Sequence, residues 1–290
     1  MLSYLQNVGG MINIQQALSQ AIPLLAPTSS SAQIDAEILL THVLQTSRAF
    51  LYAHPEKNLE NIQETKYQQL IEQRCEGIPI AYLTGCREFW SLPLHVNEAT
   101  LIPRPETELL VEIALSFFDK GSTASLLDLG TGSGAIALAL ASERPTIQVL
   151  ASDISLSALA MAARNIAHLR LNNVHTVNSD WFASIPLQCF DAIISNPPYI
   201  AEGDPHLYQG DLRFEPQQAL ISGVDGLSAF TQIINEGYDR LLPGGLLLLE
   251  HGYQQRSAVT MLLKQRGYVQ IRSWQDVQGC HRVSGGVRNH

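Results

Sequence analysis

The chain has 290 residues, 46% of them hydrophobic and 16% charged, which excludes a disordered protein and is enough for two domains of unequal size. Its formal charge of -9 excludes a global field that attracts nucleic acid, although local basic patches stay open. Cys75, Cys86, Cys189 and Cys280 have neither metal-ligand nor redox spacing, so the expectation is reduced, buried thiols in a cytoplasmic protein.

No lysine or arginine precedes Arg48, so the start lacks the basic region of a signal peptide, and no apolar run approaches membrane-spanning length. Residues 1–10 read as a short extension without an assigned function. From Ile12 to about Glu76 the pattern is helical. Ile14, Ala17, Leu18, Ala21 and Ile22 share one face; Ser29, Ser30 and Ser31 offer N-caps to a second helix carrying Ile34, Ile38, Leu39 and Val43. Leu59, Ile62, Tyr67, Leu70 and Ile71 give a third face. This small helical bundle carries Arg48, Lys57, Lys66 and Arg74 against a larger number of acids, which argues against a DNA-recognition domain. Capping the rest of the chain and gripping a protein partner are its two readings.

Gly77-Ile78-Pro79 is expected to end the bundle, and Glu88-Phe89-Trp90 followed by Leu92 to Val96 to form a bridging β-hairpin. Phe89 and Trp90 either line a crevice or bury as hairpin aromatics. Pro103 and Pro105 stiffen the junction, where Arg104 and Glu106 either orient a ligand or form a surface ion pair. Glu106 to Asp119 is expected as a helix with Leu109, Leu110, Ile113, Ala114 and Phe117 inward. Strands and helices then alternate, as a doubly wound parallel sheet requires. The strands are Ser125–Leu129, Ile147–Ser152, Val174–Val177, Phe190–Ser195 and Leu246–Glu250. The helix after Asp153 presents Leu156, Leu159, Ala160, Ala163 and Ile166, and Leu227 to Leu242 forms another helix, stopped by Pro243-Gly244-Gly245. A last helix around Val259 to Leu263 and the segments Val269–Trp274 and Val283–Val287 end the chain in an antiparallel hairpin.

Four stretches at strand ends carry the chemistry. Gly130-Thr131-Gly132-Ser133-Gly134 is a tight turn opening the helix Ala135–Ala141, a nucleotide-binding βα unit. Gly130, Gly132 and Ala135 also satisfy a dinucleotide fingerprint, so the glycines leave both ligand classes open. Asp153 closes the next strand and suits ribose hydroxyls in either class. Asp128, Asp153 and Asp180, all expected to face the crevice, favour a cationic sulfonium over an anionic pyrophosphate. Trp181 beside Asp180 offers a stacking face for adenine, or else is a core residue. Asn196-Pro197-Pro198-Tyr199 follows a buried strand, where open α/β sheets bind ligands. It is either a plain turn or a stiff display of acceptors, because each proline removes a donor and bars the residue before it from the α region. The Asn196 side-chain oxygen and the Pro197 carbonyl can then grip a planar NH2 group, with Tyr199 as a face for the plane. The long, irregular stretch Ile200–Gly226 has the character of a functional loop, in which Arg213 and Glu215 shape a substrate mouth or pair to staple the loop. No histidine has metal-like companions.

Together these four stretches resemble a class I S-adenosylmethionine-dependent N-methyltransferase. With Tyr82-Leu83-Thr84-Gly85, Arg87-Glu88-Phe89-Trp90, Leu101-Ile102-Pro103-Arg104-Pro105-Glu106-Thr107-Glu108 and Arg213-Phe214-Glu215-Pro216, the chain resembles the HemK/PrmC family of peptide chain release factor glutamine methyltransferases. The resemblance implies a Rossmann-like α/β domain with a seven-stranded sheet over 105–290, an all-α substrate-binding domain over 1–80 and a β-hairpin linker over 81–104. It further implies S-adenosylmethionine as cofactor, S-adenosylhomocysteine as product, no metal, and class I release factors as partners, with no nucleic acid or membrane. Gly130 to Gly134, Asp153, Asp180, Trp181 and Asn196 are then the cofactor residues; Asn196 to Tyr199, Arg213 and Glu215 take the substrate. Enzymes acting on base amino groups share Asn-Pro-Pro-Tyr; a non-catalytic nucleotide-binding scaffold or a dinucleotide oxidoreductase is the alternative of another class.

Overall fold

A computed structural model describes residues 11–290; the extension expected over 1–10 lies outside the described residues. The chain divides into two compact units, Met1–Gly85 and Cys86–His290.

The first unit contains α1 (Ile14–Leu25), α2 (Ala32–Leu44), α3 (Arg48–Ala53), α4 (Asn61–Cys75) and α5 (Ile80–Thr84). Asn13 and Gln16 start α1 with a reciprocal capping box at 2.9 and 3.0 Å. The core takes Ile14, Ala17, Ala21 and Leu25 from α1, Leu39, Leu40 and Val43 from α2, and Tyr67, Leu70 and Ile71 from α4. Two expected core residues face out, Ile34 and Ile62, the latter 74% exposed. In α2 the buried face is occupied by Asp35 and Glu37 instead, because arginines reach both: Arg74 Nε donates to Asp35 at 2.8 Å and Arg48 pairs with Glu37. The serines before α2 do not cap it; Ser29 and Ser31 donate their hydroxyls to Asp35 at 2.8 and 3.1 Å. Gly77-Ile78-Pro79 does not end the helical part, since Pro79 precedes α5 and Gly85, at φ 67°, closes it.

The second unit opens with the hairpin β1 (Cys86–Phe89) and β2 (Leu92–His95), paired from Cys86↔His95 to Phe89↔Leu92. Its turn places Trp90 and Ser91 at φ 52° and 58°, unusual for bulky residues. The strain is offset where the Trp90 backbone N–H and indole N–H donate to Glu108 and Glu143 at 2.8 and 2.9 Å. Phe89 and Leu94 enter the unit's own core. A 3-10 turn, Pro105–Thr107, precedes α6 (Glu108–Phe117). Val111 is buried there, whereas Phe117, expected inward, is exposed.

Then come β3 (Ser125–Leu129), α7 (Ala135–Glu143), β4 (Gln148–Asp153), α8 (Leu156–Leu169), β5 (Val174–Asn178), β6 (Phe190–Ser195), α9 (Ser228–Arg240), β7 (Leu241–Glu250), α10 (Arg256–Arg266), β8 (Val269–Gln275) and β9 (His281–Val287). The seven-stranded sheet has the order β5-β4-β3-β6-β7-β9-β8; β3 to β7 are parallel and β9 runs antiparallel to both neighbours. This is the class I methyltransferase fold. The order reverses direction beside β3, so a crevice opens at the carboxyl ends of β3 and β6. Helix α8 buries Ala158, Leu159, Met161, Ala162 and Asn165, a face rotated from the expected one, and Leu156 is exposed. Asn165 turns the helix by bonding the His95 backbone N–H and C=O at 2.7 and 2.9 Å and the Ser133 carbonyl at 2.9 Å. Pro243-Gly244-Gly245 lies inside β7, after the end of α9, and accompanies a register shift against β6.

None of the four cysteines is fully buried: Cys86 and Cys189 are exposed, Cys75 and Cys280 half-buried. Among the described residues no helix is long and apolar enough to cross a membrane.

Candidate functional site

A cavity of about 390 Å³ lies at the reversal of strand order, within the roughly 300–1,000 Å³ of small-molecule sites. Gly130, Gly132, Asp153, Asp180, Trp181, Asn196 and Pro198 all line it, so segments after four different strands meet there.

The turn after β3 is built to leave backbone bare. Gly130 and Gly132 have φ of 70° and 57°, and a Cβ added to either would meet no protein atom within 4 Å. Thr131 and Ser133 are buried behind the turn, where the Thr131 hydroxyl donates to Asp128 at 2.7 Å; Gly134 caps α7. These three do not line the cavity. Asp128, expected to face the crevice, is instead buried beneath the turn and accepts from Ala137 N–H at 3.2 Å. Burial pushes its carboxyl up to about 7 against those hydrogen bonds. Asp153 accepts one backbone N–H on each oxygen, from Gly132 and Ser155, both at 2.9 Å. Burial raises its pKa too.

Asp180 is exposed at the cavity, and Trp181, at φ 45°, both lines it and packs on the core cluster of Phe182 and Phe230. Of the stretch after β6, Asn196 and Pro198 reach the wall. Pro197 is buried, and Tyr199 packs against the same core cluster, its phenol raised by burial. The Asn196 amide N–H donates to Thr107 Oγ1 at 3.2 Å. Gln255 Nε2 holds the Tyr199 carbonyl at 2.9 Å. Gly226, at φ 74°, fits closely against that carbonyl, since a Cβ would come within 2.4 Å of it.

The two ion pairs weighed in the sequence are replaced by one across the chain. Arg104 pairs with Glu215 at 2.7 Å, rather than with Glu106, and Arg213 is exposed with its guanidinium 4.7 Å over the Phe214 ring. Three 3-10 turns between Pro205 and Ala219 fold the loop so that Glu215 meets Arg104. Burial pushes Glu215 up to about 7, with Arg104 drawing it down. Neither Phe89 nor Trp90 lines the cavity. Among the described residues no cluster of three or more His, Cys, Asp or Glu could hold a metal ion.

Several lining residues carry no sequence signal, among them Thr100, Gln218, Ser222 and Gln232. Thr107 and Glu250, buried next to the site, were also missed. Glu250 did leave a trace, as the acid closing the apolar run Leu246–Leu249 beside β6.

Two family models match, "PrmC N-terminal domain" over residues 16–85 and "Methyltransferase small domain" over residues 106–210. A release factor glutamine methyltransferase of Salmonella typhimurium is 48% identical over 275 residues, covering 95% of this chain and 99% of that protein. The Escherichia coli K12 protein of the same name is 48% identical over 272 residues, covering 94% and 98%. A solved methyltransferase from Pyrococcus furiosus aligns with a TM-score of 0.52 at 19% identity, over 78% of this chain and all of that one, a likeness of fold. With near-complete coverage at such identity, the chain belongs to the release factor glutamine methyltransferase family.

Proposed function

We propose that this chain transfers the methyl group of S-adenosylmethionine to N5 of the glutamine in the Gly-Gly-Gln motif of class I release factors, and so modulates translation termination in the cytoplasm. The observation carrying this reading is that the bare glycine turn, Asp153 and Asn196 open on one cavity. A cofactor held by the first two therefore meets an amide held by the third. When bound, S-adenosylmethionine supplies a sulfonium-activated methyl group and departs as S-adenosylhomocysteine.

Gly130 and Gly132 let the ligand approach the backbone, with Thr131, Ser133 and Gly134 holding the turn's shape. The Asp153 oxygens keep lone pairs for ribose hydroxyls beyond their two backbone bonds. Asp180 accepts from the adenine amino group and Trp181 supplies the stacking face. An amide nitrogen is a poor nucleophile, because its lone pair is delocalised into the carbonyl. Asn196 Oδ1 and the Pro197 carbonyl accept the two amide hydrogens, which localises that lone pair and stabilises the positive charge that develops on nitrogen. Pro198 on the wall and Tyr199 behind it fix the plane. Holding such a near-attack geometry contributes roughly 7–11 kcal/mol, and no strong base is needed, since the nitrogen's proton becomes acidic once methylated. Glu215 acts through Arg104 to hold the loop at the mouth, where exposed Arg213 meets the protein substrate. The helical unit grips the release factor; neither nucleic acid nor membrane takes part.

Methyl-labelled S-adenosylmethionine is offered with an unmethylated release factor, its Gln→Ala and Gln→Glu variants, and duplex DNA. Label is expected on the glutamine alone, because sites pairing with a substrate NH2 reject analogues lacking it by roughly 10⁴- to 10⁵-fold. Label on DNA, or on none, overturns the acceptor; label on the glutamate overturns the account of selectivity.

A further inference from the structure

The stretch that presents Asn196 has few donors with which to hold itself. Pro197 and Pro198 have no N–H, so Asn196 to Tyr199 must be anchored through carbonyls and side chains, and a side chain from a distant part of the chain does this. Gln255 stands immediately before α10, and its backbone is fixed on both sides: its N–H donates to the Gly252 carbonyl at 2.9 Å, and its carbonyl accepts from Val259 N–H at 3.0 Å. Val259 and Leu263 are buried in the core cluster with Phe230, which makes this end of α10 a fixed platform.

From there the Gln255 carboxamide makes three hydrogen bonds to backbone. Nε2 donates to the Tyr199 carbonyl at 2.9 Å and to the Gly226 carbonyl at 3.2 Å, and Oε1 accepts from Gly252 N–H at 2.9 Å. Each partner is a backbone group whose role covalent structure fixes, since a carbonyl only accepts and an N–H only donates. The amide therefore has one workable orientation; turned over, it would set Oε1 against two carbonyl oxygens and Nε2 against an N–H. Two glycines make room for it. A Cβ on Gly226 would come within 2.4 Å of the Tyr199 oxygen and 2.9 Å of Gln255 Nε2, and one on Gly252 within 3.0 Å of Gln255 Oε1.

Tyr199 and Gly226 stand at the two ends of the loop that forms part of the cavity wall. Its outgoing and returning arms are bonded at the base, where Ile200 N–H donates to the Leu220 carbonyl and the Ile200 carbonyl accepts from Ser222 N–H, both at 2.9 Å. Pro216, Gln218, Ile221 and Ser222 of the returning arm line the cavity that Asn196 and Pro198 also line. One amide group thus fixes the spacing between the Asn196 wall and the wall of the returning arm. We infer that Gln255 is a positioning residue for methyl transfer: by bonding both ends of the loop, it holds the Asn196–Tyr199 stretch where the substrate amide is aligned. This rests on the reading of Asn196 as the amide acceptor, and Gln255 itself does not line the cavity.

The test measures kcat and KM for the release factor at saturating S-adenosylmethionine, cofactor affinity by calorimetry, and the unfolding midpoint. The variants are Gln255→Met, Gly226→Ala, Gln254→Ala, Asn196→Ala and Gln255→Met combined with Asn196→Ala. Met keeps the length of Gln255 and removes both donors; it should lower kcat roughly 10²-fold, as a misplacement of about 1 Å remote from the chemistry does, in a protein that still folds and binds cofactor. Gly226→Ala drives a methyl group into the same junction from the other side and should lower kcat too, whereas Gln254→Ala, at the exposed neighbouring position, should keep wild-type kcat. In the Asn196→Ala background Gln255→Met should cost clearly less than in wild type, because part of what Gln255 positions is then gone; a role in stability alone would move the unfolding midpoint and not this comparison. The positioning role is overturned if Gln255→Met keeps wild-type kcat at saturation, if Gln254→Ala loses as much, or if the losses of Gln255→Met and Asn196→Ala multiply in full. Should Gln255→Met fail to fold, Gly226→Ala decides, and wild-type kcat there overturns the role. Full activity of Asn196→Ala would instead reject the acceptor reading itself.

Discussion

In the helical unit, Asp35 and Glu37 are buried among donors that use their charge: Arg74, Ser29 and Ser31 around one, Arg48, Tyr52 and Gln33 around the other. In the α/β unit, Asp128 and Glu250 are buried as deeply, yet each leaves one carboxylate oxygen without a partner. The consequences diverge. Burial alone would push Glu37 up, but its hydrogen bonds and Arg48 outweigh it and hold the pKa below the ordinary range. Asp128 and Glu250, with fewer donors, are both pushed up to about 7. Fully partnered acids fix a shape; under-partnered acids beside a cavity make it sensitive to protonation.

The largest expected effect tests the first half of that contrast. Arg74→Ala strands Asp35 in the bundle core and should destabilise the helical unit by about 3–5 kcal/mol, read by denaturant unfolding; a loss below about 1 kcal/mol, the range of surface pairs, would show that the serine hydroxyls suffice. Next, Asn196→Ala should lower kcat on the order of 10²- to 10³-fold with the unfolding midpoint unchanged, separating function from stability at the cavity wall. A smaller effect concerns pH. The folded pKa of Asp128 lies above its unfolded value, so its contribution to stability is present below about 4 and is lost as pH rises through about 7. Wild type should therefore lose stability relative to Asp128→Asn over that window, by an amount on the order of a few kcal/mol; parallel curves would mean that Asp128 is ionised throughout. Smallest is Asn13→Ala, which removes an exposed cap and should cost about 1 kcal/mol, far less than Arg74→Ala in the same unit.

The backbone-built half of the site was legible because its signals are local. Gly130 and Gly132 stand in the turn itself, and Asp153 and Asn196 follow apolar runs, so strand ends and loop chemistry read directly. The side-chain-built half was not. Arg104 could be weighed against Glu106, and Arg213 against Glu215, but the pair that forms is Arg104 with Glu215, since only the folded loop brings them together. Helix α8 was rotated for a related reason: in an alanine-rich helix many faces look alike, and the buried Asn165, bonded to His95 and Ser133, selects one.

By itself, the sequence determined the alternation of strands and helices, the parallel core of the sheet, the glycine turn and the family, because each rests on residue spacing along the chain. Tertiary structure alone decided that Asp128 sits beneath the turn rather than in the crevice, that Thr131 and Ser133 support it from behind, and that Thr107 meets Asn196. Those outcomes depend on which donors reach a buried polar atom, and with water excluded the nearest partner in space prevails over the nearest in sequence.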